Sequence, residues 1–496
     1  MSVADRLAAL SPQQRALFET LRSQAPPPQP AGLVPPPVRP VSGPQGLGDW
    51  PLSYDQERLW RLHQAIPGLV SWNVDAGSRV QGTLRLPVFV AAVHQLVRRH
   101  AAWRTTFPEV DGRPVQRVAA FLAPAAALID LSGLPAARRE AIAHQAVRGH
   151  TRQPFDLARG PLLRMALVRL AEREHLYLLT VHHLVTDWVS FQIFFGELMA
   201  AYQARCAGRE AELPGLPVQY PDYAVWEREW LRGEALAAEQ AYWRRALEGF
   251  PTALDLPAAR PRPAVQSQRG GWLRVAAGAE RSARLRSLAR REGATTFIAV
   301  LAVLYALLWR LSGRERLVVG SNAANRARPE LQAVAGFFLT QVPFATDLGG
   351  DPSFRELLAR SRCTALAAYA HQNVPFSQLI EAVLGPAPTA ASADLSRNPI
   401  MQVLLLVLEA QPPPPPGEPA FEPVVFDDGN SRWDLMFGLY DDRDRGLAGA
   451  LEYNADLFDR PAVEGWLALL YALIDAVTAD PDLRLTQLPR ATGAAP

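Results

Sequence analysis

The chain has 496 residues, of which 49% are apolar and 20% are charged, and its formal net charge is +2. This composition is typical of a globular protein with more than one core, since single domains commonly contain about 100–200 residues. The nearly balanced charge lacks the strongly basic character of nucleic-acid-binding proteins, so no nucleic-acid partner is expected.

The two cysteines, Cys206 and Cys363, are too far apart in sequence to form a CxxC metal or redox motif. So few cysteines are typical of a protein in a reducing compartment. The N-terminal residues lack the apolar centre of a secretory signal. The longest apolar stretch, 297–309, is shorter than the about 18 residues that a membrane span needs. The sequence therefore predicts a cytoplasmic protein with no membrane partner.

Residues 3–23 carry leucines at helical spacing and predict a short amphipathic helix. The proline-rich run 26–40 predicts an extended, semi-rigid tether, and the globular part is expected to begin near Gly46. Pro87 suits the first turn of a helix over 88–100, where apolar residues recur at helical spacing.

Strands and helices then alternate along the chain. Residues 162–170 and 175–183 are rich in Leu and Val and predict strands, and 188–202 predicts the helix that follows them. Later in the chain, the sequence predicts a buried helix at 295–310 and two further strands at 316–321 and 401–408. A proline-rich loop is predicted at 412–416. This alternation indicates a mixed α/β fold in two lobes.

The segment 175–198 contains the residues that point to chemistry. A predicted strand ends in His182 and His183, and Asp187 opens the next helix. Because side chains alternate across a strand, the two imidazoles are expected on opposite faces and should have different roles. The same alternation argues against a metal site, because neighbouring strand residues do not easily converge on one ion. Alone, the HHxxxD pattern is a weak signal, since strand histidines are usually structural and an aspartate commonly caps a helix.

Short signatures along the chain resemble those of the condensation domains of nonribosomal peptide synthetases. The segment HHLVTDW resembles the family's active-site motif. All the signatures occur in the family's order, and they lie at 51–60, 98–107, 182–188, 220–231, 241–247, 320–331, 336–344, 369–380, 395–405, 433–441 and 451–459. The resemblance covers about residues 48–475. It implies an α/β fold in which two lobes, each resembling chloramphenicol acetyltransferase, form a V-shaped pseudo-dimer around a central tunnel.

The resemblance also implies a division of the chain into four segments. Residues 1–47 would form an N-terminal helix and a proline-rich linker, and residues 48–215 would form the first lobe. The second lobe would occupy residues 216–484, and a C-terminal linker would occupy 485–496. The two end segments resemble linkers that follow a carrier domain and precede an adenylation domain. A neighbouring adenylation domain is therefore an expected partner.

The implied reaction joins two substrates that are held on carrier proteins. A donor acyl or peptidyl thioester and an acceptor amino acid would arrive on the 4'-phosphopantetheine arms of an upstream and a downstream carrier protein. The domain itself would bind no cofactor and no metal. His183 would be the catalytic residue that removes a proton from the attacking amine or positions it, so that an amide forms. The implied setting is the biosynthesis of antibiotics and other natural products.

Supporting roles follow from the same resemblance. Asp187 is expected to form a structural ion pair with Arg104, and His182 is expected to bond within its own lobe. Trp188 stands where the family usually has glycine, and Thr340 belongs to a signature that departs from the family's. Both are expected to line the substrate tunnel. Aromatic residues near this point also occur in mixed polyketide–peptide systems, which leaves a polyketide or fatty-acyl donor open.

Four alternatives stay open at this point. An ester would form if the acceptor supplied a hydroxyl group. An inactive recruitment domain would keep the fold, although such domains usually lose the two histidines that are present here. An epimerisation domain shares the histidine motif, but its additional signatures have no counterpart in this chain. A coenzyme A-dependent acyltransferase would share the HxxxD chemistry without the carrier-type linkers.

Overall fold

The computed structural model describes residues 35–66, 68–385, 394–410, 419–424 and 429–490. The predicted N-terminal helix, the first part of the proline-rich run, the loop at 412–416 and the last six residues lie outside the described residues.

Within the described part of the chain, the helices α1 to α11 span Tyr54–Ala65, Leu86–Arg99, Ala136–Thr151, Trp188–Cys206, Tyr220–Trp230, Gly233–Ala246, Ala279–Arg291, Thr296–Ser312, Phe354–Ala370, Phe376–Leu384 and Arg460–Ala479. Short 3₁₀ turns lie at Ala101–Arg104, His183–Val185, Pro329–Leu331 and Leu485–Gln487. The strands β1 to β16 span Gly48–Trp50, Asn73–Gln81, Thr105–Thr106, Glu109–Val110, Arg113–Pro114, Gln116–Val118, Ala125–Asp130, Leu163–Ala171, Glu174–His182, Gly270–Ala276, Arg316–Ala323, Thr340–Asp347, Val403–Glu409, Ala420–Val424, Leu435–Asp442 and Gly446–Asn454. Every predicted helix and strand among the described residues is present, with ends displaced by at most four residues.

Side-chain caps fix where several helices begin. Ser53 Oγ accepts from Gln56 N at 3.2 Å, and the Gln56 side chain accepts from Ser53 N at 3.1 Å, which starts α1. Ser353 and Glu356 form the same capping box at the start of α9. Such reciprocal bonds satisfy two backbone N–H groups that a helix leaves free at its first turn. At the other end of a helix, α8 stops at Gly313, whose φ of 66° is a left-handed conformation that glycine adopts without strain.

Two sheets form the cores of two lobes. The first sheet has the order β14-β2-β9-β8-β7, in which β8 and β7 are parallel and the other neighbours are antiparallel. The second has the order β10-β16-β15-β13-β11-β12, with β13 parallel to both of its neighbours. Smaller sheets are formed by β1-β6-β3 and by β4-β5. The observed architecture is the two-lobed α/β class predicted from the sequence.

β14 belongs to the second half of the chain but pairs with β2 in the first sheet. Its residue Phe421 is buried and stacks on Phe89 of α2, with ring centroids 6.1 Å apart. Buried apolar residues between 331 and 338 also pack in the first core. The first core is therefore built from both halves of the chain, across the predicted lobe boundary at residue 215.

The second core is centred on α8, in which every residue from Ile298 to Leu308 is buried. α11 packs beside it, and among the described helices α11 is the one that is long and apolar enough by itself to cross a membrane. α7 and α8 pass the same test only as a pair bent by 105°. Leu473 and Val477 of α11 are buried in the second core, so packing within the lobe accounts for its apolar character.

The residues before β1 lie against the globular body. Trp226 Nε1 donates to Pro36 O at 2.8 Å, and Ser42 N donates to Asp222 Oδ1 at 2.7 Å. Residues 35–40 contain no helix or strand, as predicted. These hydrogen bonds hold the described end of the predicted tether on the first lobe.

Candidate active site

The site is built at the point where β9 ends. His182 is the last residue of β9, and His183 begins the 3₁₀ turn that follows it. α4 then starts at Trp188, with Asp187 as its N-cap. The change from strand to turn between the two histidines gives their side chains different surroundings.

One hydrogen bond sets the proton position on His183. Its Nδ1 lies 2.8 Å from Thr186 O. A carbonyl oxygen only accepts, so Nδ1 carries the proton and Nε2 carries the lone pair of the neutral ring. The backbone N–H of His183 donates to Trp72 O at 2.8 Å, which fixes the main chain at the same point. The turn therefore presents Nε2 as an acceptor, the form that a general base needs.

Aromatic rings from both halves of the chain flank His183, which is 8% exposed. Its ring centroid lies 5.6 Å from that of Trp72 and 5.0 Å from that of Phe337, and both contacts are edge-on. Burial, together with the nearby charge of Arg432, lowers the pKa of His183 to about 4, whereas the Asp187 carboxylate opposes this shift. His183 is therefore neutral near pH 7.

His182 lies inside the first lobe and is fully buried. Its Nδ1 accepts from Leu184 N at 3.2 Å, and its ring lies against His63 and Phe155, with centroids 5.6 and 6.0 Å away. Burial, together with the nearby His63, His183 and Arg164 side chains, lowers the pKa of His182 well below its usual value. These contacts agree with the prediction that His182 bonds within its own lobe.

Asp187 is the centre of a buried network. Its Oδ1 accepts from Ser190 N at 2.8 Å and from Ser190 Oγ at 2.7 Å, as an N-cap does. Arg326 Nη2 donates to the two carboxylate oxygens at 3.0 and 3.1 Å, and Phe338 N donates to Oδ2 at 3.2 Å. Arg326 follows β11 of the second sheet, so this ion pair ties the turn that carries His183 to the second half of the chain.

The predicted ion pair between Asp187 and Arg104 is wrong. The Arg104 guanidinium is buried and donates to three backbone carbonyls, those of Gln45, Arg98 and Ala119. The actual partner lies 139 residues beyond Asp187 in sequence. Arg104 therefore holds the N-terminal segment and the chain after β6 on the first lobe, and it makes no contact with the active-site carboxylate.

The two residues predicted to line the tunnel lie in different surroundings. Trp188 is 38% exposed, and its indole lies against Tyr440 of β15, with ring centroids 6.0 Å apart. The indole therefore crosses from the first lobe to the second. Thr340 is 3% exposed, and its Oγ1 donates to Val374 O at 3.3 Å. Its hydroxyl is engaged within the second lobe.

Sequence reasoning does not single out Trp72, Ser190, Arg326 or Phe337. Arg326 and Phe337 lie inside two of the family signatures, so the resemblance could have pointed to them. Ser190 stands three residues after Asp187, a spacing typical of a capped helix start. Trp72 has no local signal, because only the tertiary fold brings it to the His183 imidazole.

Within the described residues, no cluster of metal-binding side chains lies at this site, and one cleft lies away from it. Among the described residues, no group of three or more His, Cys, Asp or Glu side chains is arranged to hold a metal ion. A cleft of about 1020 Å³ lies at the C-terminal end of α8 in the second lobe, where Phe250, Trp309 and Arg316 contribute to its lining. None of the site residues described above lines that cleft.

A family model described as the condensation domain matches residues 47–492. The chain belongs to the condensation-domain family. This match confirms the family predicted from the sequence and, with it, the acyltransferase class of enzyme. Both lobes and the histidine motif of this condensation domain fall within the matched residues.

A linear gramicidin synthase polypeptide of Brevibacillus parabrevis is 37% identical over 491 residues, which are 97% of this chain and 6% of that protein. The condensation domain thus spans a small part of the length of this relative. The similarity places the chain among the parts of nonribosomal peptide synthetases.

Solved structures share the fold. The X-domain from teicoplanin biosynthesis, solved in complex with OxyB, is 31% identical with a TM-score of 0.79, and the match covers 92% of this chain and 98% of that one. The condensation domain of the Monacolin K polyketide synthase MokA is 22% identical with a TM-score of 0.78, over 88% of this chain and 99% of that one. These matches confirm the fold class predicted from the sequence.

Proposed function

We propose that this condensation domain joins a carrier-bound acyl or peptidyl thioester to a carrier-bound amino acid and forms an amide bond. The observation that carries the proposal is the neutral His183, whose Nε2 lone pair is presented by the turn after β9 beside rings from both halves of the chain. The upstream and downstream carrier proteins would bring both substrates on 4'-phosphopantetheine arms, and a neighbouring adenylation domain would load the acceptor carrier.

In the proposed reaction, His183 carries the one proton that moves from the attacking amine to the leaving thiolate. The acceptor amine attacks the donor thioester carbon, the C–N bond forms, and the carbonyl π electron pair moves onto oxygen. His183 Nε2 accepts the proton that the nitrogen loses, while Nδ1–H stays bonded to Thr186 O. When the tetrahedral intermediate collapses, the C–S bond breaks and the leaving thiolate takes the proton from Nε2, which restores the neutral imidazole.

The low pKa of His183 favours positioning over early proton removal. With a pKa of about 4, the imidazole is a weak base and does not deprotonate an ammonium group before the attack. Its lone pair instead accepts a hydrogen bond from the neutral amine and aims it at the carbonyl carbon. Proton transfer becomes favourable only as the nitrogen gains positive charge in the transition state.

The other site residues support this geometry. The Asp187–Arg326 pair holds the turn that carries His183, and His182 anchors the end of β9. We infer that the Trp188 indole, which reaches across to Tyr440, borders the donor side of the substrate passage. Thr340 would border the passage through its backbone and methyl group, since its hydroxyl is engaged elsewhere.

Intact mass spectrometry tests the proposal. A donor carrier protein is loaded with a panel of aminoacyl and fatty-acyl thioesters. An acceptor carrier protein is loaded with a panel of aminoacyl thioesters and their hydroxyacyl counterparts. With the wild-type domain, we expect the acceptor carrier to gain the mass of the donor acyl group. His183→Ala should lower the rate by about 10²–10⁴-fold. His144→Ala, which changes an exposed histidine of α3, is the matched control and should keep the wild-type rate.

Transfer that is equally fast in wild type and His183→Ala would contradict the assignment of His183. Transfer only to an acceptor that carries a hydroxyl in place of the amine would identify the ester-forming alternative.

One observation favours a second candidate, a domain that recruits a partner protein. The X-domain, which is 31% identical to this chain, was solved in complex with OxyB. The histidine pair and its hydrogen bonds argue for catalysis instead, because recruitment alone requires neither. Absence of transfer across the whole substrate panel, in a protein that still unfolds cooperatively, would favour the recruiting role.

A further inference from the structure

Two arginine side chains and the catalytic imidazole surround the Trp72 indole. The Arg432 Cζ lies 5.4 Å from the ring centroid, and the Arg58 Cζ lies 5.9 Å from it. The His183 ring meets the same indole at 5.6 Å. Arg432 comes from the segment between β14 and β15, so a side chain of the second half of the chain reaches the reaction centre of the first lobe.

The two arginines differ in how their charge is compensated. Arg58 Nε lies 3.7 Å from Asp55 Oδ1, so a carboxylate partly neutralises it. Over the described ranges, Arg432 has no carboxylate oxygen within 4 Å, and its guanidinium lies against the Trp72 ring. Arg432 is also the cation whose field acts most strongly on His183, whose pKa it lowers.

The backbone anchors Arg432 while its side chain stays partly exposed. Its carbonyl oxygen accepts from the side chains of Asn398 and Gln266. Two residues later, Asp434 accepts from Arg262 Nη1 at 2.9 Å, which fixes the start of β15. The guanidinium is therefore carried on a fixed support, and within the described part of the chain it lies against the Trp72 ring with no side-chain hydrogen bond.

A cation that has no carboxylate partner among the described residues, as Arg432 here, is unfavourable beside a base before the reaction, because it opposes the uptake of a proton by His183. The same charge becomes favourable when negative charge develops nearby, since a partly desolvated cation stabilises an anion more strongly than water does. In the proposed reaction that anion is the oxygen of the donor carbonyl.

We propose that Arg432 is a catalytic residue of the condensation site that stabilises the oxyanion of the tetrahedral intermediate, an inference that rests on the proposed function. As the C–N bond forms and the π electron pair moves onto oxygen, the guanidinium donates a hydrogen bond to that oxygen and keeps its own protons. When the C–S bond breaks, the pair returns to the carbonyl and the hydrogen bond weakens.

Arg432→Gln removes the charge, and Arg432→Lys keeps it. In single-turnover assays with both carrier proteins loaded, we expect Arg432→Gln to lower the rate at saturation by about 10²–10³-fold. The concentration of acceptor carrier that gives half the maximal rate should change by no more than about twofold, because the interaction forms mainly in the transition state. Arg432→Lys should stay within about tenfold of wild type. Arg290→Gln, an exposed change on α7 of the same lobe, is the matched control.

A second readout does not depend on turnover. Among the described residues, the titratable and charged groups around His183 are Asp187 at the N-cap of α4, His182 on β9 and Arg432 itself, and Arg58 on α1 contacts the neighbouring Trp72. Imidazole ¹⁵N chemical shifts, with His183 assigned by its loss in His183→Gln, should show its pKa rising in Arg432→Gln and staying low in Arg432→Lys.

Three results would overturn the proposal. One is a wild-type rate in Arg432→Gln, and another is an equal loss in Arg432→Lys and Arg432→Gln, which would mark side-chain shape as the cause. The third is an unchanged pKa of His183 in Arg432→Gln, because the guanidinium would then not act on the reaction centre. If the wild-type domain transfers no substrate, the proposed function fails by itself, and the titration still decides whether the charge of Arg432 reaches His183.

Discussion

Asp187, which follows the turn that carries His183, pairs with an arginine in the other half of the chain. Its carboxylate oxygens accept from Ser190, Arg326 and Phe338, so the lone pairs of the buried anion are well satisfied. Full hydrogen bonding is the condition under which a buried ion pair offsets its own desolvation. These contacts support the prediction that the aspartate of the HHxxxD motif has a structural role.

We expect Asp187→Ala and Arg326→Ala each to lower the free energy of unfolding by about 3–5 kcal/mol, because each strands a buried charge. The double variant should lose less than the sum, since its second change removes the stranded partner. Urea unfolding at pH 7 measures all three variants. Arg104→Ala is the matched control, and its effect should add to that of Asp187→Ala. Coupling of Asp187 to Arg104 instead of Arg326 would contradict the observed pairing.

At the scale of helices and strands, the spacing of apolar residues along the sequence predicts the elements that short-range structure determines. β9 and α4 follow from apolar alternation and helical spacing, and both are present near their predicted ends. The 3₁₀ turn between them, which sets the tautomer of His183, has no such pattern. The arginine partner of Asp187 and the pairing of β14 with β2 join distant parts of the chain, and a single sequence carries no signal that selects them among many alternatives.

The contact between the start of α4 and β15 predicts a change in substrate selectivity. Because the Trp188 indole spans the gap to Tyr440, Trp188→Gly should open that side of the passage. We expect the preference for short over long acyl donors to fall by about tenfold or more. Tyr440→Ala should act in the same direction, and Trp188→Phe, which keeps an aromatic ring, is the matched control. Competition between donor thioesters of different length, read by mass spectrometry, measures the effect, and an unchanged product ratio in both Trp188→Gly and Tyr440→Ala would contradict it.

At the scale of the whole molecule, buried histidines make stability depend on pH. Burial lowers the pKa of His150 and of His183 to about 4, and it lowers that of His182 well below its usual value. For a base, a lowered pKa in the folded state means that the unfolded chain takes up the proton first. As the pH falls from 6.5 towards 4, the unfolded chain therefore gains protons that the folded chain does not bind, and the free energy of unfolding decreases.

From His183 alone, we expect a decrease of about 2–3 kcal/mol between pH 7 and pH 4.5. Urea unfolding curves at the two pH values measure it. His183→Gln should show a smaller decrease than wild type, whereas the exposed control His144→Ala should follow wild type. Equal stability of the wild-type domain at both pH values would show that the buried imidazoles do not resist protonation.

The pairing of β14 with β2 has a consequence for how the chain is made. A ribosome releases β2 long before β14, so the nascent first sheet keeps an open edge at β2 and a bare face at Phe89 while most of the second lobe is synthesised. An open strand edge readily pairs with other chains. The first lobe therefore completes its folding only after residue 424 has emerged, and cutting the chain between the lobes would leave an N-terminal fragment that is prone to aggregate.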